Sequence, residues 1–342
     1  MLNWYHETSV IYDTPLKTEL LTAMSRIDKM SKDSWHFYRD LLNDYEFDHN
    51  TNAINRAFYK LWEMLDFHSD LKNYLDETLH LAEAPGSFVQ VIRKLNPEGS
   101  CTAISKSSGS YASIVNHTND IPTFHDSLLV DRQVRLLYID LTEKVNISKI
   151  VQRKFNLITS DGGIDEGRDY SKKEPVHYQL KLGEILAILH NQALGGNCVL
   201  KVFDTFHETT IQLMYLLAKH YNTFEICKPS TSRPTNSERY MICKNFQGSD
   251  DHTHLLNTRV KDDSRLFTVP SEFRDKVLDI NRTLSRYQLN FINKVMDHVD
   301  NKVFLDYKER RKEKKEFFES WLKDKKLDGY IYHIKKFRGH KR

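Results

Sequence analysis

Apolar residues fall along this chain in two kinds of pattern, a helical repeat and short continuous runs. From Thr14 to about Asp48 they return every three or four positions, with Leu16, Leu20, Leu21, Met24 and Ile27 on one face, which predicts a helical N-terminal extension over residues 1–50. A second helical stretch, INRAFYKLWEMLDF (54–67), gathers Phe58, Leu61, Trp62 and Leu65 on one side and leaves Lys60 off that set. From there to about residue 246, short apolar runs alternate with helical segments. The runs are TLHLAEA (78–84), CTAIS (101–105), VRLLYID (134–140), FNLITSD (155–161), NCVLKVF (197–203), FEICK (224–228) and RYMICKNF (239–246). Helical sequence separates them at 86–95, at about 178–193 and at 211–221. Such alternation predicts an α/β domain over residues 51–248, with a mostly parallel sheet covered on both faces. Only the polar loop KPSTSRPTNSE precedes the last run, too short for a crossover helix, so the last strand is expected antiparallel to its neighbours. The alternation stops after Phe246, and a polar connection leads into helical sequence at SEFRDKVLDINRTLSRYQLNFINKVMDHV, giving a helical C-terminal region over 249–342 with a basic tail.

Composition narrows the class. With 342 residues, 39% hydrophobic and 28% charged, the chain can bury a sizeable core. No apolar run reaches the roughly 18 residues that span a bilayer, and the first residues lack a signal-peptide pattern. A soluble protein of the cytoplasm or nucleus, not secreted and without a membrane partner, is expected. The four cysteines form no CxxC pair and lie in apolar runs, as reduced core thiols do. His252 and His254 stand close together but without zinc-site spacing, so no metal is expected. Residues 301–342 carry 15 Lys or Arg against 7 Asp or Glu, while the whole chain has a net charge of +3. A basic end on a mildly acidic body suits a polyanion. The mixed signs of YKERRKEKKEFFESWLKDKK at helical spacing equally suit an exposed helix.

Four polar residues stand out by position. Asp161 ends an apolar strand before Gly162 and Gly163, Lys201 interrupts another, Glu238 opens the last strand, and Lys60 sits on the early helix. Ligands of such sheets bind at the carboxyl ends of parallel strands, where Asp161 projects. A lysine within an apolar strand must be paired once buried, and a neighbouring carboxylate supplies the partner. Taken singly, Asp161 could cap a turn, Glu238 could be a loop residue and Lys60 an exposed charge. The small-residue turn LAEAPGSF (81–88), behind the first strand, adds a place where backbone N–H groups can face a ligand.

Their joint order resembles the FtsJ-type ribose 2′-O-methyltransferases. APG follows the first strand, Asp-Gly-Gly the fourth, G-G-x-x-V-x-K-x-F ends the fifth, and Ser237-Glu238-Arg239-Tyr240 begins the seventh. NRAFYKLWEM around Lys60 and the form HLAEAPGSF are most similar to the branch that methylates mRNA caps; the resemblance covers about residues 54–246. It implies a Rossmann-like, seven-stranded methyltransferase fold using S-adenosylmethionine, and a catalytic tetrad at Lys60, Asp161, Lys201 and Glu238. It further implies that Glu83, Ala84, Pro85, Gly86, Ser87 and Phe88 wrap the cofactor, together with Asp161, and that Asp140 contacts its adenine. The chain departs from many relatives in carrying His80 where an aspartate begins the first motif. No acidic residue follows CTAIS either.

On this reading Lys201 faces the 2′-hydroxyl, with Lys60 as the nearby cation that lowers its pKa, and Asp161 and Glu238 orient both lysines. RNA would cross the segment DGGIDEGRDYSKKEPVH, with Arg168, Lys172 and Lys173, and also Arg56, available to it. The substrate implied is capped mRNA, with other capping or transcription proteins as candidate partners. An rRNA or tRNA ribose methyltransferase and a non-catalytic RNA-binding subunit of the same fold are the alternatives.

Overall fold

The computed structural model describes residues 10–46, 51–106, 123–147, 150, 153–164, 169–249, 268–301 and 306–327. Its centre is a seven-stranded sheet of order β3-β2-β1-β4-β5-β7-β6. The strands are β1 (Glu77–Leu81), β2 (Ser100–Ser105), β3 (Val134–Tyr138), β4 (Phe155–Ser160), β5 (Gln192–Val202), β6 (Tyr221–Cys227) and β7 (Arg239–Phe246). The first five pair in parallel, whereas β7 lies between β5 and β6 and runs antiparallel to both. β5 begins at Gln192, earlier than its apolar run, because a register irregularity separates the Phe155↔Gln192 and Leu157↔Asn197 pairs.

The helices are α1 (Thr14–Ile27), α2 (Lys32–Leu42), α3 (Ala57–Phe67), α4 (Ser87–Leu95), the single turns α5 (Asp126–Leu129) and α6 (Lys144–Ile147), α7 (Lys173–Asn191), α8 (Glu208–Ala218), α9 (Ser271–Asp300) and α10 (Tyr307–Asp324). The N-terminal helical pattern is thus two helices, because Ser31 caps α2 by accepting the Ser34 N–H and so restarts the chain. Successive strand side chains face opposite ways, which divides the core. Cys198, Leu200 and Val202 of β5 pack with α7 and α8, while Val199 packs on the other face with α3 and α4. A third cluster joins α1, α2 and α9.

The C-terminal region folds back onto the rest. α9 packs against α1 and α2, and Arg282 pairs with Asp13 at 2.9 Å. α10 turns Trp321 and Leu322 inward, with Leu327 just beyond it, onto the cluster that holds α3. Its outward side carries the charges. Among the described residues no helix is long and apolar enough to cross a membrane.

Candidate active site

The sheet places Asp161 and Lys201 side by side. Ser160 is in register with Leu200, so the next residue of each chain stands at the carboxyl edge. Lys201 shares the Val199 face and therefore looks toward α3, and across the antiparallel pair it stands opposite Tyr240. The Asn55 side chain accepts the Ala57 N–H at the start of α3, and the first turn of that helix carries Lys60. Lys201 Nζ lies 3.1 Å from Asp161 Oδ1 and 3.8 Å from Glu238 Oε2. Lys60 Nζ lies 2.8 Å from Glu238 Oε1. Tyr240 donates its hydroxyl to Asp161 at 2.7 Å. The four residues singled out in the sequence therefore form one nearly buried charge cluster drawn from four elements.

Their electrostatics alter one expectation. Burial pulls the Lys201 ammonium down, but Asp161 and Glu238 outweigh it and hold its pKa above the ordinary lysine value. The lowered pKa expected from a neighbouring Lys60 is absent, because Glu238 stands against both lysines. Burial works against the Glu238 carboxylate, yet Lys60 and Lys201 bring it down to about 2.

Sequence reading missed what holds Glu238. Lys228, at the end of the β6 run, donates to the Glu238 carbonyl, the Asn236 carbonyl and the Asn236 side chain, each at 2.8 Å. Ser232 donates to Glu238 Oε1 at 2.8 Å. Burial pulls the Lys228 pKa down to about 7. From α3, Glu63 accepts the N–H groups of Ser230 and Thr231, so the loop that delivers Glu238 is tied to the helix that delivers Lys60. Only the KP…S…N…E spacing of that loop could have signalled it.

A cavity of about 680 Å³ opens on the cluster, with Asn55, Arg56, Lys60, Asp161, Arg233 and Asn236 among its lining residues. Glu46, from beyond the end of α2, pairs with both Arg56 and Arg233. Its carboxyl is held at about 2 despite burial, because both arginines bond to it. Lys172 is exposed and pairs with Asp169 at 2.9 Å. Lys173 starts α7 with its ammonium 5.0 Å from the Phe203 ring centroid, and Arg168 lies outside the described residues.

The turn after β1 is shaped by contacts within the chain. Glu83 does not point outward: its Oε1 accepts the N–H groups of Phe88 and Val89 at 2.7 and 3.0 Å, capping α4. Burial raises its pKa to about 8, with nearby Asp161 adding to the rise. Ser87 and Phe88 are buried, and Phe88 belongs to the core. Gly86 has φ 110°, and a Cβ there would sit 2.0 Å from Leu128 Cδ1. The left-handed backbone there favours glycine, and Leu128 packs against its open side. Ala84 and Pro85 remain half-buried at the surface of the turn. At the end of β3, Asp140 pairs with Lys106 at 2.5 Å and accepts from Thr142. The residue after CTAIS is thus a lysine that holds Asp140. His80 is fully buried, bonded to Thr78 and Thr159, and desolvation brings its pKa down to about 3.

A parallel sheet with one antiparallel strand inserted near its end, and with polar residues converging on the carboxyl edge, defines a Rossmann-like methyltransferase domain. The chain belongs to the FtsJ-like methyltransferase family, whose model matches residues 53–246. It is 31% identical over 196 residues to the Dictyostelium discoideum cap-specific mRNA (nucleoside-2′-O-)-methyltransferase 1, covering 54% of this chain and 25% of that protein. A protein of African swine fever virus named "Probable methyltransferase EP424R" is 25% identical over 317 residues, covering 83% of this chain and 73% of the other. The cap-specific mRNA (nucleoside-2′-O-)-methyltransferase of Autographa californica nuclear polyhedrosis virus is 29% identical over 202 residues, covering 58% and 75%. The chain spans only a quarter of the Dictyostelium protein's length. Among the described residues no group of His, Cys, Asp and Glu is arranged to hold a metal ion.

Proposed function

We propose that this protein transfers a methyl group from S-adenosylmethionine to a ribose 2′-hydroxyl of RNA, at the cap-proximal nucleotide of mRNA. The observation that carries the reading is the buried Lys60–Glu238–Lys201–Asp161 cluster, whose Lys60 and Asp161 line a cavity wide enough for a nucleotide. Named activities of the relatives support the cap as the target. The residues present fit the cofactor: Ala84 and Pro85 leave the turn after β1 partly open, and Asp140 offers a fixed carboxylate beyond β3. Glu83, Gly86, Ser87 and Phe88 serve by shaping that turn. S-adenosylmethionine bound there supplies an electrophilic methyl group.

The protein's part is placement and charge. Lys201, held as an ammonium by Asp161 and Glu238, donates to the 2′-oxygen and stabilises the negative charge that develops on it as the hydroxyl proton passes to water in the open cavity. Asp161 is itself fixed by Tyr240, so the ammonium has one direction to point. Lys60 is tied to the same Glu238 and closes the other side of the cluster. Arg56 and Arg233 line the cavity as guanidinium partners for phosphates that flank the target ribose; Lys172, Lys173 and Arg168 extend that path.

The test is a radiolabelled methyl-transfer assay on capped, uncapped and structured RNAs, followed by nuclease mapping of the labelled nucleotide. Label confined to the cap-proximal ribose of capped RNA is the expected result. Equal labelling of uncapped structured RNA would assign the enzyme to rRNA or tRNA, and no label on any RNA would end the catalytic reading.

A further inference from the structure

Beneath the cluster lies a second buried ion pair that the mechanism above does not use. Lys181 and Glu184 sit one turn apart on α7, with Nζ and Oε2 separated by 2.6 Å. Glu184 is fully buried and Lys181 is 7% exposed. Lys181 also donates to the Gly162 carbonyl at 3.0 Å, the peptide that follows Asp161. Gly162 has no room for a side chain: a Cβ would lie 1.9 Å from Glu184 Oε1 and 3.0 Å from Ala82 Cβ. Ala82 follows the end of β1, so Gly162 is packed between the ion pair and the neighbouring strand end at the carboxyl edge. The ammonium groups of Lys181 and Lys201 lie 5.8 and 5.6 Å from the centroid of one ring, Phe203.

A helix packed on a sheet does not need such a pair for stability. Desolvating two charges offsets most of their attraction, and apolar residues of the same size usually serve as well or better. What apolar residues could not do is grip the carbonyl after Asp161 or place a negative charge under Lys201. Glu184 is one of the carboxylates that raise the Lys201 pKa, after Asp161 and Glu238. Lys201 in turn lowers that of Lys181, whose largest downward influence is burial.

We propose that Lys181 and Glu184 are positioning residues for the transfer step. Lys181 fixes the turn that presents Asp161 to Lys201, and Glu184 balances the charge of both lysines from below. This rests on the methyltransfer reading given above. It adds to that reading a layer outside the tetrad, drawn from a helix that contributes no group to the cavity.

Two variants test it. In Lys181→Met with Glu184→Gln, both charges go together, which avoids stranding one of them in the core. The double variant is expected to fold and to bind S-adenosylmethionine calorimetrically within about threefold of the parent, while single-turnover transfer falls about 10- to 100-fold, as small misplacements near reacting atoms do. Glu184→Gln alone keeps the volume and an acceptor for Lys181. Here the pH limb belonging to Lys201 moves down, because one carboxylate that held its proton is gone; Asp161, Glu238, Lys60, Lys181 and Glu83 remain around it. A purely structural pair would leave that limb in place.

Parental transfer in the folded double variant, or an unmoved limb in Glu184→Gln, overturns the inference. Should the double variant not fold, the limb decides alone. The parent protein runs in every assay: a parent that methylates no RNA sinks the functional reading, whereas an active parent matched by its variants sinks only this one.

Discussion

Lysine and glutamate occupy opposite surroundings in the crevice and on α10. In the crevice Lys60 and Glu238 meet at 2.8 Å with side chains 13% and 8% exposed. On α10, Lys312 and Glu316 stand 3.8 Å apart with 76% and 65% exposed, and Lys315 and Glu319 are arranged alike. The first pair has left water and is held in one geometry by Ser232 and Lys228. The second gains little, since exposed pairs contribute from nothing to about 1 kcal/mol. Charge density therefore points away from the buried cluster here. The most charged segment uses its apolar side, Trp321 and Leu322, to back α3, while a single lysine in an otherwise apolar strand reaches the site.

The sharpest way to break this contrast is to attack α10 where it is not charged. Trp321→Ala removes a ring that packs 5.8 Å from Tyr59 and should cost about 3 kcal/mol, read by thermal unfolding. An unchanged melting temperature would make α10 the solvated appendage that its charges suggest. Next comes Lys201→Met, which keeps length and removes the charge. Single-turnover transfer with saturating RNA and cofactor should fall at least about a hundredfold with cofactor affinity nearly intact, and Lys201→Arg should rescue little. Transfer within about twofold of the parent would return Lys201 to a structural role.

A smaller effect follows from Glu83. Its folded pKa of about 8 lies above the ordinary 4.5, so the folded state holds the proton more tightly. The associated stability is fully present below about pH 4.5 and is lost as pH rises toward 8. Glu83→Gln keeps an acceptor for the α4 cap and has no proton to lose. Its melting temperature should therefore gain on the parent's progressively between pH 5 and 8.5; parallel curves would show that Glu83 titrates as an ordinary carboxylate. Smallest of all, Lys312→Ala should change stability by less than about 0.5 kcal/mol, and a larger loss would erase the difference between the two regions.

Much of this architecture was legible because it is local. Short apolar runs marked the strands, and a lysine between Leu200 and Val202 stood out by interrupting one. The antiparallel last strand followed from a connection too short to cross over. What stayed hidden depends on partners far along the chain. That Leu128 packs against Gly86 could not be read from the turn itself, because it comes 42 residues later. The raised pKa of Lys201 depends on Asp161 and Glu238 standing beside it and outweighing its burial, which is a matter of sheet register. Lys228 looked like the polar end of a strand until the loop beyond it turned back to offer four acceptors. In α10 the buried Trp321 and Leu322 were masked by the charges interleaved with them.

The place of β7 has a consequence for biosynthesis. Among the described residues it is the last strand to leave the ribosome, yet it occupies the gap between β5 and β6. Until residues 239–246 emerge, β5 has an open edge and Glu238 has not been delivered to Lys60. A nascent chain halted before this point exposes unpaired backbone and holds two cationic side chains without their shared carboxylate, a state open to chaperones and to edge-to-edge association. Translation thus completes the sheet and the charge cluster in one insertion, and no product that stops before Glu238 can hold that cluster.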